Sequence, residues 1–273
     1  MNKKVIVITG ASSGMGKDFA MALLKEGHTV YGLARRVEKM DDIVNAGGKA
    51  IAMDITDESQ VSTAVEQIIE EQGQVDILIN NAGYAVYGTV EEVPIDIARR
   101  QFEVNLFGLA SITQKIVPGM RERKSGTIIN ISSMGGKMYT PMGAWYHATK
   151  HALEGWSDCL RVELIPFNVD VVIIEPGGIQ TEFSNVFQEQ LQGDSEKGPY
   201  AEALQKIISS TKEMSENGQL SKPSVITNLI LKAVNSKKPK TRYVAGAFAK
   251  PLMFMRKYLS DRAFDRILMK QFQ

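Results

Sequence analysis

The chain has 273 residues, 44% of them hydrophobic, with 32 basic and 31 acidic side chains and a net charge of +1. This is material for one large domain with a buried core, and near-neutrality removes the electrostatic reason to expect nucleic acid as the main partner. A single cysteine, Cys159, excludes an internal disulfide framework and suits a reducing, cytoplasmic setting.

Lys3-Lys4 precede the apolar run Val5-Ile6-Val7-Ile8. The run is shorter than the roughly 7–15 residues of a signal-peptide core, and no stretch approaches the roughly 20 apolar residues of a membrane span. It runs directly into Gly10, so the first strand is predicted over Val5–Thr9. Further short β-branched runs predict strands at Thr29–Ala34, Lys49–Met53, Val75–Ile79, Thr127–Ile131 and Val169–Ile174. Near-continuous apolar runs of this length suit parallel strands covered on both faces. Helical patterns alternate with them at Gly16–Glu26, Glu38–Ala46, Glu58–Gln72, Ile97–Met120 and Trp145–Leu164, with helix stops at Gly27 and Gly47-Gly48. Alternating strand and helix implies right-handed crossovers and a doubly wound parallel α/β sheet flanked by helices. One domain over residues 1–273 is expected.

After Gly178 the rhythm breaks. Ser184–Pro199 is polar and reads as a mobile segment, and residues 184–220 are expected to cover the substrate side. Helices follow at Tyr200–Ser215 and Pro223–Val234, then a last strand at Thr241–Ala245. Residues 247–273 form a C-terminal helical extension, in which Leu252, Phe254, Leu259, Phe264, Ile267, Leu268 and Phe272 interleave with Arg256, Lys257, Arg262, Arg266 and Lys270. Such a stripe packs onto its own domain or lies on a membrane surface; the pattern alone permits both. Cys159, mid-helix among apolar residues, is expected to be a buried inert thiol. His147 and His151 stand four apart, but no third ligand accompanies them, so no metal is expected.

The first strand ends in Thr9-Gly10-Ala11-Ser12-Ser13-Gly14-Met15-Gly16, where a helix begins. A dinucleotide's pyrophosphate needs backbone N–H groups at a helix N-terminus, and Cβ atoms would block its approach. At this place in a βαβ unit the loop predicts a Rossmann-type cofactor site. The second strand ends in Ala34-Arg35-Arg36, without the carboxylate that would accept the ribose hydroxyls of NAD. Arg35 suits a 2′-phosphate, so NADP(H) is the expected cofactor.

Tyr146 and Lys150 lie four apart on one helix face. A phenol titrates near 10, and an adjacent ammonium favours the phenolate. Bringing it down by about 3 units takes about 4 kcal/mol. Ser133, at the end of the fifth strand, is placed to donate to a substrate carbonyl oxygen. Asn105 is a mediocre helix former inside a predicted helix, which suggests a polar task.

Together these motifs resemble the compact branch of the short-chain dehydrogenase/reductase family. They are Thr9–Gly16, the N-N-A-G of Asn80–Gly83, Asn105, Ser133, Tyr146–Lys150 and Pro176-Gly177, in the family's order over about two-thirds of the chain. The resemblance implies hydride transfer between a nicotinamide cofactor and a carbonyl or alcohol. It makes Tyr146 the general acid and base, with Lys150 holding the ribose and tuning Tyr146. Ser133 would position the carbonyl, and Asn105 would hold a water in a relay to Lys150. Cofactor contacts are implied for Gly10, Ser12, Ser13, Gly14, Met15, Gly16, Arg35, Asp54, Ile55, Asn81, Ala82, Gly83, Tyr146, Lys150, Pro176, Gly177, Ile179 and Thr181. The apolar segments after Ser133 and Pro176 resemble those of hydroxysteroid- and retinol-dehydrogenase-like members. They suggest a hydrophobic substrate against Ser133, Gly135, Met138, Tyr139, Trp145, Phe183 and Phe187. The short C-terminal ending of many tetrameric members is missing, and a homodimer is expected. A cofactor sensor without turnover would have no use for Ser133, Tyr146, Lys150 and Asn105 together.

Overall fold

The computed structural model describes residues 3–180 and 198–270; Thr181, Phe183, Phe187, Phe272 and most of the polar segment Ser184–Pro199 lie outside the described residues. Seven strands form one sheet: β1 (Val5–Thr9), β2 (Thr29–Ala34), β3 (Lys49–Ala52), β4 (Ile77–Asn80), β5 (Gly126–Ile131), β6 (Val169–Pro176) and β7 (Arg242–Ala245). Their order is β3-β2-β1-β4-β5-β6-β7, and every pairing is parallel. The order reverses between β1 and β4, so the carboxyl ends of these strands open onto the crevice where such sheets bind ligands.

Strand alternation sorts the core into two layers. Ile6 and Ile8 of β1 face α1 (Gly14–Lys25) and α8 (Ser224–Val234), packing with Phe19, Leu23, Ile226 and Ile230. Val7 faces the other way, into a cluster with α3 (Glu58–Gln72) and α5 (Leu109–Arg123) through Val61, Val65, Ile68, Ile112 and Ile116. The second layer also holds α6 (Ala144–Leu164), whose Leu164 is buried there. Each such side chain, fully buried, contributes roughly 1.5–3 kcal/mol.

Several boundaries differ from the periodicity. β4 begins at Ile77; before it, Asp76 ties to β1 through its N–H to the Val5 carbonyl at 2.9 Å and through its carboxylate, which accepts from Val5 N at 2.7 Å, while the Val75 carbonyl accepts from Arg123. β6 runs two residues past Ile174 because β7 pairs with it as far as Pro176 opposite Ala245. The helix predicted over Glu38–Ala46 opens as a 3₁₀ turn, Val37–Met40, before α2 (Asp41–Asn45). The long helix predicted over Ile97–Met120 divides into α4 (Ile95–Phe102), one π-helical segment at Glu103–Gly108, and α5. The wide turn falls on Asn105, and such segments often mark functional sites.

Beyond β6 come α7 (Ala201–Glu216), α8, β7 and the expected helical pair, α9 (Ala249–Tyr258) and α10 (Asp261–Lys270). The pair packs on its own chain: Phe264 and Leu268 are buried with Met138, and Tyr139, Leu252, Met255 and Leu259 surround them. Its outer side keeps Phe254 and Tyr258 exposed. Cys159 corrects the expectation of burial. It is exposed, because α6 turns that position outward while Leu153 and Ser157 face in. Among the described residues no helix is long and apolar enough to cross a membrane, and no cluster of His, Cys, Asp and Glu could hold a metal ion.

Candidate active site

The glycine loop links β1 to α1 and is bolted to the end of β4. Asn81 N and Ala82 N each donate to Thr9 Oγ1 at 3.0 Å, and Asn81 Nδ2 donates to the carbonyls of Thr9 and Gly10 at 3.1 Å. Asn81 therefore shapes the loop rather than offering a free amide. A Cβ on Gly16 would overlap Asn81 Nδ2 and the Gly10 carbonyl, so only glycine lets α1 approach. Gly14 has a φ of +53°, and a Cβ there would meet nothing within 4 Å. The N-terminus of α1 thus faces open space. Ser13 makes no side-chain cap, and the first turn carries no acid. Uncapped N–H groups at a positive helix end fit an anion such as a pyrophosphate.

At the neighbouring strand ends, Arg35 and Arg36 are exposed. After β3, Asp54 Oδ1 accepts from Thr56 N at 3.0 Å and Thr56 Oγ1 at 2.8 Å. Burial pushes the Asp54 carboxyl up, but the Thr56 donors and the cations Arg35 and Arg100 outweigh it and leave it below its ordinary value. Ile55 is buried beside it. Two cations around one ionised carboxylate make this the basic end of the crevice.

At the other end, Ser133 follows β5 with extended backbone, and its Oγ accepts from Gly135 N at 3.0 Å. Tyr146, on the first turn of α6, is 9% exposed. Burial pushes its phenol above the ordinary value, and a hydrogen bond with Ser133 opposes that. Lys150, one turn on, has its Nζ 5.9 Å from the Tyr146 ring centroid and donates to the Ile131 carbonyl at 2.8 Å. Burial brings Lys150 down to about 8, with Glu154 opposing. The lowered phenol expected beside Lys150 is therefore not found: desolvation outweighs the hydrogen bond with Ser133 and leaves Tyr146 above its ordinary value.

Asn105, 1% exposed in the π-helical segment, turns inward. Its Oδ1 accepts from Tyr84 N at 3.0 Å, while Nδ2 donates to the Tyr84 carbonyl at 2.8 Å and to Thr149 Oγ1 at 3.1 Å. Its side chain is spent tying the segment after β4 to α6. Pro176 ends β6, and Gly177 sits so close to the Ala247 carbonyl that a Cβ would overlap it. Ile179 is buried and bridges to Ser221.

Of the expected substrate-side residues, Ser133 and Gly135 stand at the site. Met138 is wholly buried against Phe264 and Leu268, and the Tyr139 hydroxyl donates to Asp265 at 2.8 Å, so both anchor the loop to the tail. Trp145 is one position round from Tyr146 and lines a different groove, with Ile95, Phe102 and Phe107. Sequence reasoning missed Tyr87, whose ring centroid is 5.7 Å from that of Tyr146. It also missed Leu204 and Ile207 of α7, which pack with Tyr87 and Met142 over this end. The i, i+3 spacing of Leu204 and Ile207 was a visible signal, whereas nothing local marks Tyr87. His147 Nδ1 donates to the Gly135 carbonyl at 2.9 Å, while Nε2 accepts from Thr140 N at 3.0 Å. The ring is thus neutral and clamps the loop after Ser133.

Comparison with known proteins gives the family. A short chain dehydrogenase family model matches residues 4–192. A 3-ketodihydrosphingosine reductase of Bacteroides thetaiotaomicron is 37% identical over 254 residues, 92% of this chain and 91% of the relative. An NADPH-dependent 3-dehydrocapnine reductase of Ornithobacterium rhinotracheale is 35% identical over 276 residues, 97% of this chain and 95% of the relative. The crystal structure of a short-chain dehydrogenase from Streptomyces avermitilis superposes with a TM-score of 0.82 at 34% identity, covering 98% of this chain and 96% of that one.

Proposed function

Since the chain belongs to the short-chain dehydrogenase/reductase family of NAD(P)-dependent oxidoreductases acting between CH–OH and C=O groups, we propose that it interconverts a hydrophobic ketone or aldehyde and its alcohol with NADP(H), using Tyr146 as general acid and base. The observation that carries this reading is the Tyr146 phenol, buried, hydrogen-bonded with Ser133 and one helical turn from Lys150.

The bound nicotinamide supplies the hydride chemistry, and the protein supplies position and charge. The loop Gly10–Gly16 would hold its pyrophosphate and Arg35 its 2′-phosphate, with Asp54, Ile55, Ala82 and Gly83 serving the adenosine half and Pro176, Gly177 and Ile179 the nicotinamide half. Ser133 donates to the substrate oxygen. Burial keeps the proton on Tyr146 at neutral pH, the state needed to protonate that oxygen in reduction. Lys150 holds the ribose and keeps a positive charge beside the phenol, lowering the cost of phenolate. Asn105, by fixing the π-helical segment against Thr149, presents the backbone for a relay water behind Lys150.

A relative named as a 3-ketodihydrosphingosine reductase supports a ketone, and one named as NADPH-dependent supports the phosphorylated cofactor. The apolar cover of Leu204, Ile207, Met142 and Tyr87 supports a hydrophobic substrate. Exposed Ile95, Ile97 and Phe107 in and after α4 support a homodimer. The test is an NADPH-oxidation screen over hydrophobic ketones and aldehydes, including steroids and retinal, run on wild type and Tyr146→Phe. General acid–base catalysis contributes about 10²–10⁴-fold. A loss of that size with NADPH binding intact is expected; full activity in Tyr146→Phe would overturn the mechanism.

A further inference from the structure

Behind Lys150, on the side away from Tyr146, lies a buried charged cluster that the proposed mechanism leaves unused. Glu154, one turn after Lys150 on α6, is 3% exposed, and Glu175, the residue before Pro176 on β6, is 1% exposed. Charges so deep need partners. Lys137 Nζ reaches Glu154 Oε2 at 2.9 Å, and Arg242 of β7 reaches the same oxygen through Nη2 at 3.1 Å. Arg242 also donates to Asp158 at 2.7 Å, and its Nε lies 3.5 Å from Glu175 Oε1. Asp158 is paired a second time by Arg161 at 2.9 Å.

The cations therefore converge on one oxygen of Glu154. Glu154 Oε1 and Glu175 Oε1 are buried without a donor. Both carboxylates face one guanidinium, Arg242 Nε lying 3.3 Å from Glu154 Oε2 and 3.5 Å from Glu175 Oε1, so two buried acids adjoin with an unsatisfied oxygen each. A proton held between them supplies that donor and spares the site two adjoining full negative charges. Burial, then the charge of Glu154, raise Glu175 to about 7, against Arg242 and Lys137. Glu154 is in turn the one charge that opposes the loss of the Lys150 proton. The turn after β5 seals the arrangement: a Cβ on Gly136 would lie 2.9 Å from Glu154 Cγ and 3.0 Å from the Lys150 carbonyl.

We propose that Glu154 and Glu175 form a proton-sharing carboxyl pair behind Lys150, and that the pair's single net charge holds Lys150 as an ammonium beside Tyr146. Both are positioning residues, acting through Lys150. The groups that face the pair are Lys150 and Asp158 on α6, Lys137 in the turn, and Arg242 on β7, with Arg161 behind Asp158. The functional half rests on the role given to Lys150 above; the proton-sharing half does not.

Infrared difference spectroscopy on the full chain tests the sharing directly. A protonated-carboxyl C=O band should be present at pH 6 and fade as the pH rises past about 7. Glu175→Gln should remove it. Glu154→Gln should move its fading to lower pH, because burial still raises Glu175 but the anionic neighbour no longer does. A fading pH unmoved in Glu154→Gln means Glu175 is protonated by burial alone and overturns the pair, as does the absence of any band in wild type. Circular dichroism and NADPH binding report whether each variant folds, and Glu175→Gln, which keeps the Lys137 and Arg242 bonds to Glu154, serves if Glu154→Gln does not. With a substrate in hand, the double Gln variant should lose activity at a pH about one unit lower on the basic side. An unchanged basic limb would remove the link to Lys150, whereas absence of turnover in wild type would strike the proposed function and leave the infrared result standing.

Discussion

The two ends of the crevice are built from different materials. The glycine-loop end is backbone: N–H groups at the start of α1, glycines where Cβ atoms do not fit, and exposed arginines at the rim. The Tyr146 end is side chain: a phenol, an ammonium, a hydroxyl and an amide, each buried or half-buried and each tied to backbone or to another side chain. Solvated rim charges contribute modestly and tolerate change. Buried polar groups depend on every partner being in place. The first end is suited to holding a ligand, the second to moving a proton.

Substitutions sharpen that contrast. The largest effect is expected at the buried end, where Lys150→Met should lower turnover by about 10²–10⁴-fold, as Tyr146→Phe does. Single-turnover kinetics would check that the chemical step is what slows. Next comes the anchor of the loop beyond Ser133: Phe264→Ala should cost about 3–5 kcal/mol, measured by urea denaturation, since its ring fills the contact with Met138 and Tyr139. At the rim, Arg35→Asp should shift preference toward NADH by roughly 10–100-fold, the worth of one charged hydrogen bond of about 1.5–3 kcal/mol. An unchanged ratio of NADPH to NADH affinity would remove Arg35 from cofactor choice. The smallest effect is one of pH. Lys150 stands at about 8, below its ordinary value, so its ammonium is present at neutral pH and is lost above about 8. Turnover should therefore fall on the basic side from there. A profile flat to pH 10 would show that the charge is dispensable.

Much of the rim was legible because it depends on local backbone. The loop Thr9–Gly16 and the arginines after β2 each work within one βα unit, and spacing alone located them. Tyr146 and Lys150 were legible as a pair because one helical turn sets their separation. Their electrostatics were not: neighbours predicted a lowered phenol, whereas burial, with the Tyr87 ring from a distant segment 5.7 Å away, raises it. Trp145 and Met138 had the right composition for a substrate wall, but the turn of α6 and the tail helices gave them other surroundings. Asn105 stood out as an ill-suited helix residue. That it splits the helix with a π-helical segment followed from partners at Tyr84 and Thr149.

By itself, the sequence determined the alternation of strands and helices, the parallel sheet, the glycine loop and the identity of the groups that could bind and transfer. These are properties of short segments, written in periods of two and 3.6 and in the backbone freedom of glycine. Only the tertiary structure decided which groups are stripped of water, which cover the site, and which carboxyls meet behind Lys150. Burial is a property of the whole packed chain: Glu154, Glu175 and Arg242 come from three distant segments and acquire their charges' cost and partners only when β6 and β7 close against α6.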